Sequence, residues 1–185
     1  MTLTQALVPS QGRLARAALV LGASALIAVA AQVTVPMVPV PMTLQTLAIL
    51  TVGFALGARL GTAALVTYLA EGAMGLPVFA HGGSTAALIG PAAGFLLGFV
   101  AMAAVAGFAA DRGVRGFVGT ALVALAASAL IYVPGLAWPA LVMGKSVPDL
   151  MSGWMMPFLG GDAVKALLAA LIVSGAWGAL AARRG

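Results

Sequence analysis

Val35-Pro36-Met37-Val38-Pro39-Val40-Pro41 interrupts a run, residues 17–58, that contains no Asp, Glu, Lys or Arg. About 20 apolar residues cross a membrane as a helix, so this run is too long for one span and suits two. The prolines mark the division. Each lacks an N–H and disfavours a helical residue before it. The spacing therefore predicts helix 1 over 14–33 and helix 2 over 43–57. Arg59 follows in the turn Gly57-Ala58-Arg59-Leu60-Gly61, and helix 3 runs over 60–74. Helices 2 and 3 are short for a hydrocarbon core of about 30 Å. They read as two crossings or as a re-entrant hairpin, and we adopt six crossings in all.

Residues 72–110 form a second charge-free run. Gly75-Leu76-Pro77 opens an irregular stretch that continues through His81-Gly82-Gly83-Ser84-Thr85 to Gly90-Pro91. Helix 4 is expected over 92–110. Asp111-Arg112-Gly113-Val114-Arg115-Gly116 then connects to helix 5, over 117–142, kinked or ended near Pro134-Gly135 and Pro139. Ser146 should cap a short helix at Val147-Pro148-Asp149. Pro157 to Gly161 should break the chain again before helix 6, over 162–182.

Composition agrees. Of 185 residues, 63% are hydrophobic and 7% charged, with a mean hydropathy of +1.14. A soluble domain is normally about 25% charged. The chain is expected to be a single all-α transmembrane domain, residues 1–185, in a cytoplasmic (bacterial inner) membrane. With no cysteine and one histidine, disulfides, thiolate metal sites and cysteine nucleophiles are excluded, and no cofactor is implied. The net charge of +5 comes from scattered cations, which fits membrane orientation rather than nucleic-acid binding. Ala28-Val29-Ala30 has the look of a signal-peptide cleavage site, but the apolar run continues into the proline loop, so an uncleaved first helix is expected.

With the N-terminus in the cytoplasm, Arg13, Arg16, Arg59, Arg112, Arg115, Arg183 and Arg184 fall inside and Lys145 outside. That is the positive-inside pattern, and it places both termini in the cytoplasm. Glu71, His81, Asp149, Asp162 and Lys165 then lie towards the outer side. A polar mouth above an apolar inner half suits a receptor for an external solute.

Asp162-Ala163-Val164-Lys165 puts opposite charges at i, i+3 on one helix face. Charges at that depth are costly, so the pair either meets a ligand or neutralises itself. Glu71 accepts from a ligand, pairs with Lys165, or is simply hydrated. Thr43 and Gln45 open helix 2 as caps or as ligand contacts. Gly82, Gly83 and Ser84 offer backbone N–H groups that a ligand can approach closely. Gly53, Gly57 and Gly61, like Gly90, Gly94 and Gly98, recur every fourth residue and permit close helix packing. Ala18 and Gly22 offer a similar strip on helix 1. Trp138 and Trp154 suit the outer interface and Trp177 the inner one; Trp154 is also placed to cover a ligand. Gly144-Lys145-Ser146 is not a phosphate-binding loop, because position 139 is proline where the motif needs glycine. Any ATP hydrolysis must come from another subunit.

Four blocks together resemble the BioY family: Val40-Pro41-Met42-Thr43-Leu44-Gln45; the stretch from Tyr68 to Ala80, with Glu71-Gly72 and Gly75-Leu76-Pro77; Gly90-Pro91 to Phe99; and Pro157-Phe158-Leu159-Gly160-Gly161-Asp162-Ala163-Val164-Lys165. The similarity covers nearly the whole chain in order. It departs at Ala92-Ala93-Gly94-Phe95, where the family often reads Thr-Gly-Gly-Tyr. The resemblance implies a six-helix biotin-binding S component of an energy-coupling factor (ECF) transporter. Its partners would be a transmembrane T component and two ATP-hydrolysing A subunits, with helix 1 as the docking face. Some members of the family act without partners, and a homo-oligomer is a further possibility. Asp162 would then accept the ureido N–H groups of biotin, Lys165 would pair with Asp162 or meet the carbonyl or carboxylate, Gln45 would do either job, and the amides of the glycine loop would hold the carboxylate tail. The competing reading is a stand-alone channel or secondary transporter for another small vitamin-like solute. An enzyme is not expected.

Overall fold

The computed structural model describes residues 2–7 and 12–183. Arg184, counted above among the inner cations, lies outside them. The helices are α1 (Leu3–Leu7), α2 (Arg13–Gln32), α3 (Gln45–Ala73), α4 (Ala93–Asp111), α5 (Phe117–Leu130), α6 (Tyr132–Met143), α7 (Val147–Asp149) and α8 (Met156–Ala182). A two-residue ladder pairs β1 (Thr34–Val35) with β2 (Met42–Thr43) in antiparallel register and closes the proline loop.

The span from Gln45 to Ala73 is not one rod. Gly57 has φ 82 and ψ 174, outside the helical region, and the chain reverses there. The proof is a hydrogen bond from Gln45 Nε2 to Tyr68 Oη at 3.0 Å. A continuous helix would separate those residues by about 35 Å. The expected helices 2 and 3 are therefore two antiparallel arms, 45–56 and 58–73. With α2, α4, the α5–α6 column and α8 they make a six-column bundle.

Glycines set the depth of this hairpin. Gly57 needs its left-handed φ for the reversal. At the tip, the Ala58 N–H donates to Asp111 Oδ2 at 3.0 Å, which satisfies one of the free donors of a helix's first turn. Gly107 lies so close to the backbone of Gly57 and Ala58 that a Cβ there would overlap it. The tip thus reaches the level where α4 ends. The first arm, about 18 Å long at 1.5 Å per residue, is shorter than the membrane is thick. The rest of its column is filled by the irregular 33–44 segment.

Two expected boundaries shift. The α5–α6 break falls at Ile131, not at Pro134-Gly135. Proline clashes with the carbonyl four residues back, here Leu130, so Pro134 ends the helix one turn upstream of itself. The break expected at Pro157–Gly161 does not occur. The irregularity lies earlier, in a wide π-helical stretch over Leu150–Met155, and α8 runs unbroken from Met156. Pro157 sits in the first turn, where its missing N–H costs nothing. Asp162 consequently lies in the second turn, away from the helix end. The Ser146 cap forms as expected, accepting from the Asp149 N–H at 3.4 Å.

The alternating columns gather Arg13, Arg16, Arg59, Arg112, Arg115 and Arg183 at one end. Arg112 stacks on Phe108 and Arg115 on Trp177, 3.8 and 4.1 Å from the ring centres. Lys145 and the 74–92 segment lie at the other end. Small and apolar groups fill the core; Ala103 and Ala106 of α4 pack against Gly53 of the hairpin, and Met102 beside them is fully buried.

Candidate ligand-binding site

A cavity of about 170 Å³ opens in the half of the bundle away from the arginines. Each wall comes from a different element. Val40 to Thr43 supply the proline-loop side, and Gln45 and Thr46 the start of the first arm. Phe79, Ala80, His81 and Ala87 come from the 74–92 segment, and Ala92, Phe95, Leu96 and Phe99 from α4 and the turn before it. Ile131 and Tyr132 come from the α5–α6 break. Phe158, Asp162 and Lys165 form one stripe of α8, at i, i+4 and i+7.

The polar groups converge on Asp162. Lys165 Nζ pairs with its Oδ1 at 2.8 Å. Tyr132 Oη donates to its Oδ2 at 2.6 Å. Lys165 Nζ also donates to the Thr43 carbonyl at 3.1 Å. Both charged residues are only 6% exposed, a burial tolerable only because each charge is paired and hydrogen-bonded. An ammonium has three donors; two are used here. The cluster ties α8 to the proline loop through Lys165 and to the α5–α6 break through Asp162, so three segments far apart in sequence meet at one ion pair.

A second network holds the cavity's other side. Tyr68 Oη receives the Gln45 amide and donates to the Val78 carbonyl at 3.1 Å. The Phe79 ring packs edge-on against Tyr68, 5.2 Å between centres. Gln32, at the end of α2, donates to the Phe79 carbonyl at 3.0 Å and accepts the Gly82 N–H at 3.0 Å. His81 Nε2 lies 3.3 Å from Thr34 Oγ1. The loop is therefore a fixed wall.

Of the residues expected to form the site, Asp162, Lys165, Gln45 and Thr43 meet around the cavity. Glu71 does not line it; its carboxylate accepts from the Ser24 hydroxyl, bridging α2 and the second arm. Gly82, Gly83 and Ser84 also stand outside the lining. The Gly82 N–H goes to Gln32 and the Gly83 carbonyl to the Phe79 N–H, 2.9 Å. Trp154 is buried but not in the lining. The sequence reading missed Tyr132, Thr46, Phe158 and the aromatic pair Phe95 and Tyr132, whose rings meet edge-on at 5.9 Å. The i, i+4 spacing of Phe158 and Asp162 was a usable signal. Nothing in the sequence marked Tyr132.

The family model described as "BioY family" matches residues 4–182. The chain belongs to the BioY family. It is 37% identical over 153 residues to "Biotin transporter BioY" of Thermotoga maritima, spanning 80% of this chain and 88% of that one. It is 38% identical over 144 residues to "Biotin transporter BioY" of Rhizobium etli, with 73% and 76% covered. The fold is that of a solved "S-component for biotin from an ECF-type ABC transporter", with a TM-score of 0.76 over 89% of this chain and 93% of that one, at 23% identity. This BioY-family chain is thus a multi-pass membrane bundle of S-component architecture.

Proposed function

We propose that the chain captures biotin from outside the cell as the substrate-binding subunit of an ECF transporter. The observation that carries the reading is the buried Asp162–Lys165–Tyr132 cluster on the wall of a cavity lined mainly by apolar and aromatic side chains. Biotin has a ureido head with two N–H donors and a carbonyl, an apolar thioether ring and a carboxylate tail. Asp162 suits the N–H groups, since charge-assisted hydrogen bonds are the stronger kind. The remaining Lys165 donor suits the head carbonyl. Phe79, Phe95, Phe99 and Phe158 suit the ring. The tail would point to the mouth beside His81. The role is capture and passage, with no chemical step and no cofactor.

The arginine-rich end is read as cytoplasmic, with the cavity facing outward. Passage needs energy from separate T and A subunits. On α2, Ala18 is exposed and a Cβ at Gly22 would meet nothing within 4 Å; this open strip is read as the docking face for the T component. The purified chain should retain labelled biotin through gel filtration, and excess unlabelled biotin should displace it. Retention of nothing would sink the reading. Gly22→Leu should keep that retention while losing copurification with the T component.

A further inference from the structure

Hydroxyls inside membrane helices usually return their hydrogen bond to the carbonyl four residues back. This chain does so repeatedly. Thr51 bonds the Leu47 carbonyl at 2.8 Å, Thr120 that of Gly116 at 2.9 Å, Ser152 that of Pro148 at 2.8 Å and Ser174 that of Ala170 at 2.7 Å. Thr46 and Ser128 are the two buried hydroxyls without a partner among the described residues, and of the two it is Thr46 that lines the cavity. Its Oγ1 has no partner among the described residues, although the residue is only 6% exposed. The cause is its place in the chain. Four residues before it stands Met42, which belongs to β2 and not to the helix. The usual acceptor is therefore missing, and a buried hydroxyl left unpaired is costly.

We infer that the Thr46 hydroxyl hydrogen-bonds the bound ligand, and that it reads the ligand's ring head rather than its charged tail. This rests on the biotin reading above. Depth separates the two ends. Thr46 is the lining residue of the first arm nearest the hairpin tip, as Phe99 is the lining residue of α4 nearest the arginine end. Both mark the floor. The mouth is on the loop side, with Ala80 and His81. A carboxylate keeps its hydration by staying at the mouth, because burying an unpaired charge is costly. The compact head, with its ring carbonyl and thioether sulfur, is the part that reaches the floor, where a single O–H donor meets an acceptor.

The test is titration of the purified full-length chain with biotin and with a biotin amide, which lacks the tail's charge. Thr46→Val keeps the branched shape and removes only the hydroxyl. It should weaken both ligands by the same factor, roughly 3- to 10-fold, the worth of one neutral hydrogen bond. Thr46→Ser, which restores the hydroxyl, should recover most of the loss. Unchanged affinity in Thr46→Val, or an equal loss in Thr46→Ser, would overturn the assignment. A penalty on biotin that vanishes on the amide would overturn the head placement. If the wild-type chain binds no biotin, the biotin reading itself fails; wild-type binding with an indifferent Thr46→Val sinks only Thr46.

Discussion

Asp162 is held by Lys165 on one oxygen and by Tyr132 on the other. That geometry makes the carboxylate a fixed acceptor instead of a mobile charge. Lys165 has two jobs in it, since Nζ also fastens the Thr43 carbonyl and with it the proline loop. Replacing Lys165 by Met keeps the apolar stem and removes the cation. Biotin affinity should fall by roughly 10- to 150-fold, from loss of a hydrogen bond to a charged group worth about 1.5–3 kcal/mol. If Lys165 orients Asp162 and meets the head, biotin amide should lose the same factor in titration. A smaller loss with the amide would mean that Lys165 reads the tail. At this scale the charged pair was legible from spacing alone, because four acids in 185 residues make any intramembrane carboxylate conspicuous. Tyr132 and Thr46 were not. In a helix apolar on every side, no periodicity tells which face looks into a cavity and which into lipid. Glu71 was equally conspicuous, yet its partner Ser24 lies 47 positions away, a distance no local pattern reports.

Helix against helix, the packing turns on glycines that meet backbone. A Cβ on Gly107 would fall on Gly57 and Ala58, and one on Gly94 would fall on the Pro134 carbonyl. Neither neighbour is a flexible side chain, so neither can yield cheaply. Gly107→Ala should lower stability by about 1–3 kcal/mol through overpacking, seen as a lower unfolding temperature in detergent. Gly175→Ala, where a Cβ meets nothing within 4 Å, should leave it unchanged or raise it slightly, since glycine is the poorer helix former. Equal behaviour of the two would contradict the close hairpin. Of the fourfold glycine series read as a packing signal, Gly53, Gly61, Gly94 and Gly98 do meet neighbouring backbone, whereas Gly57 serves the reversal, Gly90 lies in the turn before α4, and Gly107 belongs to neither series. The helix boundaries set by charge were readable. The break at Pro157–Gly161 was misplaced because proline and glycine were read as breakers wherever they fell. Position within the helix decides: Pro157 in a first turn does nothing, while Pro134 acts on the carbonyl of Leu130.

For the whole molecule, the hairpin sets the site, and the positive-inside pattern makes the arginine-rich end the expected cytoplasmic one. The short first arm leaves the far half of its column to the proline loop, and the cavity forms where that loop meets α8. The chain has no cysteine, so single introduced thiols report topology cleanly. Gly116→Cys should resist a membrane-impermeant maleimide applied to intact cells, and Lys145→Cys should react. Labelling of Gly116→Cys from outside would overturn the orientation.

The proposed biotin site stands or falls with Asp162. Calorimetric titration of biotin into the purified chain, wild-type beside Asp162→Asn, tests it most directly. Asparagine keeps the size, turns one acceptor into a donor and leaves Lys165 without its counter-charge. The wild type should show one tight site. In Asp162→Asn, still monodisperse, affinity should fall roughly 10- to 150-fold, for a loss of about 1.5–3 kcal/mol. Wild-type affinity in Asp162→Asn would contradict the proposed site, showing the buried pair to be purely structural.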